Sequence, residues 1–151
     1  MPKRSNDDPA LKLDNQLCFA VYSAAHALTR TYKPLLDVLN LTYPQYLVML
    51  VLWERDGMTV KDIGQRLHLD SGTLTPLLKR LEAAGYVRRE RARDDERQVN
   101  IHLTDQGQAL YEKARSVPQQ IVDASGGNAK NLLVLKQNLV QLRDTLNAAA
   151  D

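Results

Sequence analysis

Thr59-Val60-Lys61-Asp62-Ile63-Gly64-Gln65-Arg66-Leu67-His68-Leu69-Asp70-Ser71-Gly72-Thr73-Leu74-Thr75-Pro76-Leu77-Leu78-Lys79-Arg80-Leu81 is the stretch that decides the fold. Thr59 reads as the cap of a short helix over Val60 to Leu67, and His68-Leu69 turns the chain. Asp70-Ser71 caps a second helix that runs to about Ala84 and stops at Gly85. The period then changes. Tyr86 to Arg91 and Gln98 to Leu103 are short strand-like runs, separated by the charged Ala92-Arg93-Asp94-Asp95-Glu96-Arg97. That pattern predicts a β-hairpin with a polar tip. Two short helices, a tight turn and a charged hairpin make a winged helix-turn-helix.

Working outward, the N-terminal side is helical. Residues 1–12 read as a mobile polar tail. Asp14 is a candidate N-cap, and apolar residues at 17, 20, 21, 24, 25 and 28 follow at helical spacing. This helix is expected to reach about Arg30, break near Pro34 and resume through Leu39. Thr42-Tyr43-Pro44 opens a helix over about 44–56 that is apolar on nearly every side, so it belongs in the core.

On the other side, Thr104-Asp105-Gln106-Gly107-Gln108 opens a long helix expected to reach about Val122 with a bend at Pro118. Ser125-Gly126-Gly127-Asn128 breaks it. A last helix over about 129–147 carries Leu132, Leu135, Leu139, Leu142 and Leu146 along one stripe. The fold expected is mainly α with a small β-hairpin wing. One domain covers about 13–151, with the winged helix-turn-helix at about 44–103 and dimerisation helices at about 13–39 and 104–148. The terminal stripes are too wide for so small a centre to cover, which points to an isologous homodimer. A monomer with folded-back helices is the alternative.

Composition narrows the classes. With 151 residues, 44% apolar and 25% charged, the chain suits a single globular domain. A net charge of +2 is too small to argue for nucleic acid, so the placement of charge must do so. The longest apolar run, Tyr46 to Trp53, is too short to span a membrane, and Met1 to Asp8 has no apolar signal core. The expected location is the reducing cytoplasm, where a lone thiol stays free. No sequence period suggests repeats.

The second helix of the opening stretch is the candidate reader of double-stranded DNA. Ser71, Gly72, Thr73 and Thr75 are small and polar, so this face can approach base edges and phosphates closely. Lys79 and Arg80 could reach the backbone. Pro76 breaks the rule against interior proline, which suggests a helix that is irregular before Thr75. In the hairpin, Arg88, Arg89, Arg91, Arg93 and Arg97 alternate with Glu90, Asp94, Asp95 and Glu96. A wing of this kind can put an arginine into a minor groove while acidic neighbours shape the turn. A solvated, self-paired charge run is the plainer alternative.

Cys18 is the only cysteine, so no internal disulfide can form. With Asp14 as cap it would be about the fourth residue of its helix, where the helix dipole favours a thiolate. A buried cysteine acting as a small hydrophobe is the alternative. Six tyrosines against one phenylalanine is a marked bias towards phenols.

Two groups of motifs resemble known regulators. Asp94-Asp95-Glu96-Arg97 after Leu74-Thr75-Pro76-Leu77-Leu78-Lys79-Arg80-Leu81-Glu82 resembles the MarR family of bacterial transcription regulators. Leu13-Asp14-Asn15-Gln16-Leu17-Cys18-Phe19-Ala20, Leu41-Thr42-Tyr43-Pro44-Gln45-Tyr46-Leu47-Val48-Met49 and Leu69-Asp70-Ser71-Gly72-Thr73-Leu74-Thr75-Pro76 resemble its organic hydroperoxide resistance repressors. The likeness spans about residues 11–147. It implies a homodimer whose reader helices enter successive major grooves about 34 Å apart. It also implies that Cys18 is the peroxide-reactive residue. Tyr22 of the same helix, and Tyr32 and Tyr43 of the partner subunit, would surround the thiol. Val122 to Asn128, where two-cysteine members carry a resolving cysteine, has no sulfur. Oxidised Cys18 would then pair with a small external thiol, cyclise to a sulfenamide, or oxidise further.

The rest is spare. His26, His68 and His102 have no metal-ligand spacing, and there is no phosphate loop or catalytic triad pattern. No cofactor or metal is expected. His26 lies about two turns beyond Cys18 and could face the same seam. Gly107 reads as a close-packing site. The leading expectation is a repressor, not an enzyme, that releases operator DNA when an organic hydroperoxide oxidises Cys18. The rivals are a repressor governed by a reversible aromatic ligand and a cysteine-dependent peroxidase.

Overall fold

The computed structural model describes residues 7–150. Seven α-helices and three short strands follow in the order α1 (Leu17–Asp37), α2 (Tyr43–Glu54), β1 (Met58–Thr59), α3 (Val60–Leu67), α4 (Ser71–Ala83), β2 (Val87–Arg91), β3 (Val99–Leu103), α5 (Asp105–Ala114), α6 (Val117–Ala124) and α7 (Ala129–Ala150). The mainly helical winged fold is therefore present.

The core forms around α2. Tyr46, Val48, Met49, Val51 and Leu52 are buried on several of its sides. Thr42 and Gln45 start the helix as a reciprocal capping box. Against α2 pack Leu36, Leu39 and Leu41 from the end of α1 and its turn, Ile63 of α3, and Leu74, Leu78 and Leu81 of α4. Each fully buried leucine contributes about 1.5–3 kcal/mol. The α3–α4 turn is tight because His68 adopts φ +56° and the Leu69 N–H donates to the Gly64 carbonyl at 2.9 Å.

Several expectations need correction. Asp14 does not cap α1. It lies in a short 3-10 turn, Leu13–Asn15, and Gln16 is the N-cap, with no side-chain bond to the first turn. Cys18 is thus the second residue of α1, not the fourth. The predicted tail falls partly outside the described residues. Its later part, Pro9–Leu11, is a 3-10 turn, held because Asn15 Nδ2 donates to the Pro9 carbonyl and Gln16 Nε2 to that of Ala10. Pro34 does not break α1. A proline removes only one helical hydrogen bond, and Leu36, buried beyond it, anchors the last turn.

The predicted helix after Thr104 is two helices. The break comes at Arg115-Ser116, and Pro118 occupies the first turn of α6, where its missing N–H costs nothing. Pro76 is accommodated inside α4, which is regular from Ser71 onward. The hairpin has an unforeseen third strand. β1 pairs antiparallel with β3, giving the order β1-β3-β2.

Candidate DNA-reading surface and thiol site

The candidate reader helix, α4, is built from its first residue. Asp70 Oδ1 accepts from the Thr73 N–H at 2.7 Å. That bond holds the Asp70 carboxyl below the ordinary carboxylate range. Leu74, Leu78 and Leu81 fix one face of α4 in the core, and Ser71, Thr73, Lys79 and Arg80 are exposed to solvent. Thr75 differs. It is half-buried, and its Oγ1 donates to the Ser71 carbonyl at 2.6 Å.

The wing divides its arginines. Arg89 donates to Glu82 through both its backbone N–H (3.0 Å) and its Nε (3.2 Å), which ties β2 to the end of α4. Arg88 pairs with Glu90, which also lies 3.5 Å from His102. These two fit the self-paired reading. Arg91, Arg93 and Arg97 are exposed and in no ion pair among the described residues. The tip is shaped by one acid. Asp95 accepts from the Arg97 N–H through its side chain and from the Gln98 N–H through its carbonyl.

Arg97 turns back towards the helices. It lines two adjoining grooves, one with Thr59, Lys61 and Thr75 and one with Lys61, Gln65, His68 and Ser71. Lys61, Gln65 and the α3 C-cap His68 were missed from sequence, although Lys61 and Gln65, one turn apart, mark the polar face of α3 opposite Ile63. Gly107 is a close-packing site, since a Cβ there would strike the Tyr86 carbonyl.

The thiol residues fall into two groups. Cys18 is exposed in the first turn of α1, beside the unpaired N–H groups of the helix start. Tyr22 lies one turn on. Tyr32 and Tyr43 are elsewhere. Their ring centroids are 4.8 Å apart, and Tyr46, which sequence reading missed, lies 5.8 Å from Tyr32 and 6.4 Å from Tyr43. Burial, then the neighbouring phenols, pushes the Tyr32 hydroxyl up to about 12. Burial also raises Tyr43 and Tyr46. These phenols therefore stay neutral as donors. Along α1, fourteen residues separate Cys18 from Tyr32, about 21 Å at 1.5 Å per residue. One chain does not bring them together.

Tyr32 and Tyr43 instead line a groove of about 600 Å³ with Leu28 of α1, Ile121 of α6, and Leu135 and Leu139 of α7. Residues 17–30 of α1 are exposed throughout, Leu17, Phe19, Val21, Tyr22 and Leu28 included. So are Leu133, Val134, Leu135, Leu139, Val140 and Leu146 of α7. No helix among the described residues is long and apolar enough to cross a membrane.

Comparison with known proteins agrees with this architecture. Residues 30–114 match the family described as transcriptional regulator SarA/Rot. The chain is 56% identical over 150 residues to the HTH-type transcriptional regulator TtmR of Methylorubrum extorquens, covering 99% of this chain and 76% of that protein. It is 50% identical over 137 residues to the organic hydroperoxide resistance transcriptional regulator of Bacillus subtilis, covering 91% and 93%. Among solved structures, reduced AbfR bound to DNA, a protein of Staphylococcus epidermidis, superposes with a TM-score of 0.77 at 39% identity, covering 92% of this chain and 95% of that one. The chain belongs to the MarR/SarA-type winged helix-turn-helix transcription regulators, in the branch of the organic hydroperoxide resistance regulators.

Proposed function

We propose that this chain is a cytoplasmic, homodimeric repressor that holds operator DNA while Cys18 is reduced and releases it when an organic hydroperoxide oxidises that thiol. The observation that carries the reading is the position of Cys18. The only sulfur nucleophile is exposed at a helix start, on a chain whose other working surface is a cationic helix and wing. The relatives' names, one for organic hydroperoxide resistance and one for a reduced protein on DNA, support it.

Ser71 and Thr73 read base edges, with Thr75 as the floor beneath them. Lys79, Arg80, Arg91, Arg93 and Arg97 hold phosphates and the minor groove. In the dimer, Tyr22 and the partner subunit's Tyr32 and Tyr43 surround the thiolate with neutral phenol donors. The thiolate attacks the terminal peroxide oxygen, a sulfur–oxygen bond forms, and the oxygen–oxygen bond breaks. Sulfur is oxidised to sulfenic acid, and the departing alkoxide takes a proton from solvent to become an alcohol. With no second cysteine, a small external thiol then attacks the sulfenic sulfur, the sulfur–oxygen bond breaks, water leaves and a mixed disulfide forms. The protein acts as a stoichiometric sensor, so peroxide consumption stops near one equivalent per thiol.

The test is a mobility shift on operator DNA before and after cumene hydroperoxide, with thiol rescue. Wild type should release DNA and recover. Cys18→Ser should bind with unchanged affinity and ignore the peroxide. Release of Cys18→Ser by peroxide would defeat the reading. The groove beside Tyr32 favours a second reading, control by a reversible aromatic ligand. Under it, Cys18→Ser would still respond to such a ligand.

A further inference from the structure

Cys18, Tyr22 and His26 form one i, i+4, i+8 row on α1. Successive members of such a row are one turn apart, and helical side chains lean towards the N-terminus. That lean directs the Tyr22 side chain towards the turn that holds Cys18, and the His26 side chain towards Tyr22. The rings of Tyr22 and His26 are in direct contact, with centroids 4.4 Å apart and planes tilted by 58°. Tyr22 is otherwise open, with 63% of its surface exposed, and His26 is the one aromatic ring against it among the described residues. Without that ring, little within the chain would restrict its rotamer.

We propose that His26 is a positioning residue for the oxidation of Cys18, packing on Tyr22 to hold its phenol over the sulfur. The inference rests on the reading of Cys18 as the peroxide-sensing thiol. A phenol held in place donates to the thiolate and then to the charge that develops on the departing alkoxide, with no reorganisation at the moment of reaction. A phenol free to rotate spends part of its time elsewhere. His26 itself touches neither sulfur nor peroxide.

The experiment measures the second-order rate of Cys18 oxidation in the full-length protein. Cumene hydroperoxide is the oxidant, and the loss of alkylatable thiol is followed. His26→Ala should slow the reaction about fivefold, the scale of one aromatic contact. His26→Phe keeps a ring and should restore the wild-type rate. In a Tyr22→Ala background His26→Ala should add nothing further. Operator affinity of the reduced protein should be unchanged for His26→Ala and for His26→Phe. A wild-type rate for His26→Ala, failed rescue by His26→Phe, or equal slowing in the Tyr22→Ala background would each overturn the proposal. Failure of the sensor reading looks different: wild-type Cys18 would resist peroxide, or Cys18→Ser would still leave DNA in its presence.

Discussion

Tyr32 shows how a single residue's surroundings set its chemistry. Its phenol is pushed up to about 12, first by burial and then by Tyr43 and Tyr46. Its folded-state value thus lies above its ordinary 10.0. The resulting stabilisation is complete below pH 10, and it is lost as pH climbs from there through about 12. Alkaline titration followed by ultraviolet absorbance should accordingly show a delayed fraction of the tyrosines. Tyr32→Phe should remove the latest step. A single step shared by all six tyrosines would contradict the cluster. Sequence reading found Tyr32 and Tyr43 through the family resemblance alone. Nothing local told a clustered phenol from an ordinary half-buried one, and Tyr46, three residues past Tyr43, was passed over for that reason.

At the scale of elements, α3, α4 and the wing border one groove, which Arg97 lines together with Lys61 and Ser71. Arg97→Ala should weaken operator binding, lower the slope of log affinity against log salt by about 1, and leave melting unchanged. A fall in melting temperature would make Arg97 a structural residue instead. These elements were legible in the sequence because their signals are local: Thr59 and Asp70 as caps, three leucines at helical spacing in α4, and a switch to strand period after Gly85. What could not be read was non-local. Two residues, Met58 and Thr59, are too few to show a strand period, and β1 exists only because β3 lies alongside. Pro34 carries a helix-breaking signal that burial of Leu36 overrides. Pro118, expected to bend one long helix, instead sits in the first turn of a second one, since proline suits a first turn better than a bend.

At the scale of the whole molecule, the terminal helices expose apolar residues that the small centre cannot cover. Leu135 and Leu139 of α7 lie in one groove with Leu28 of α1 and Ile121 of α6. In the homodimer proposed above, these faces meet their counterparts across a two-fold axis. Leu135→Glu combined with Leu139→Glu should convert a dimer to a monomer by analytical ultracentrifugation and abolish operator binding. Helical content should persist, because these side chains lie outside the α2-centred core. A double variant that sediments like wild type would place the contact elsewhere.

The uninterrupted length of α1 has a genetic consequence. A continuous helix works as a spacer bar, keeping the sulfur at one end away from Tyr32 and Tyr43 at the other. If each reactive centre borrows its phenols from the opposite polypeptide, two different defective chains can complement. Cys18→Ser chains mixed with chains carrying Tyr32→Phe and Tyr43→Phe would form hybrids. Each hybrid would unite one intact sulfur with one intact pair of rings and restore peroxide responsiveness that neither parent has alone.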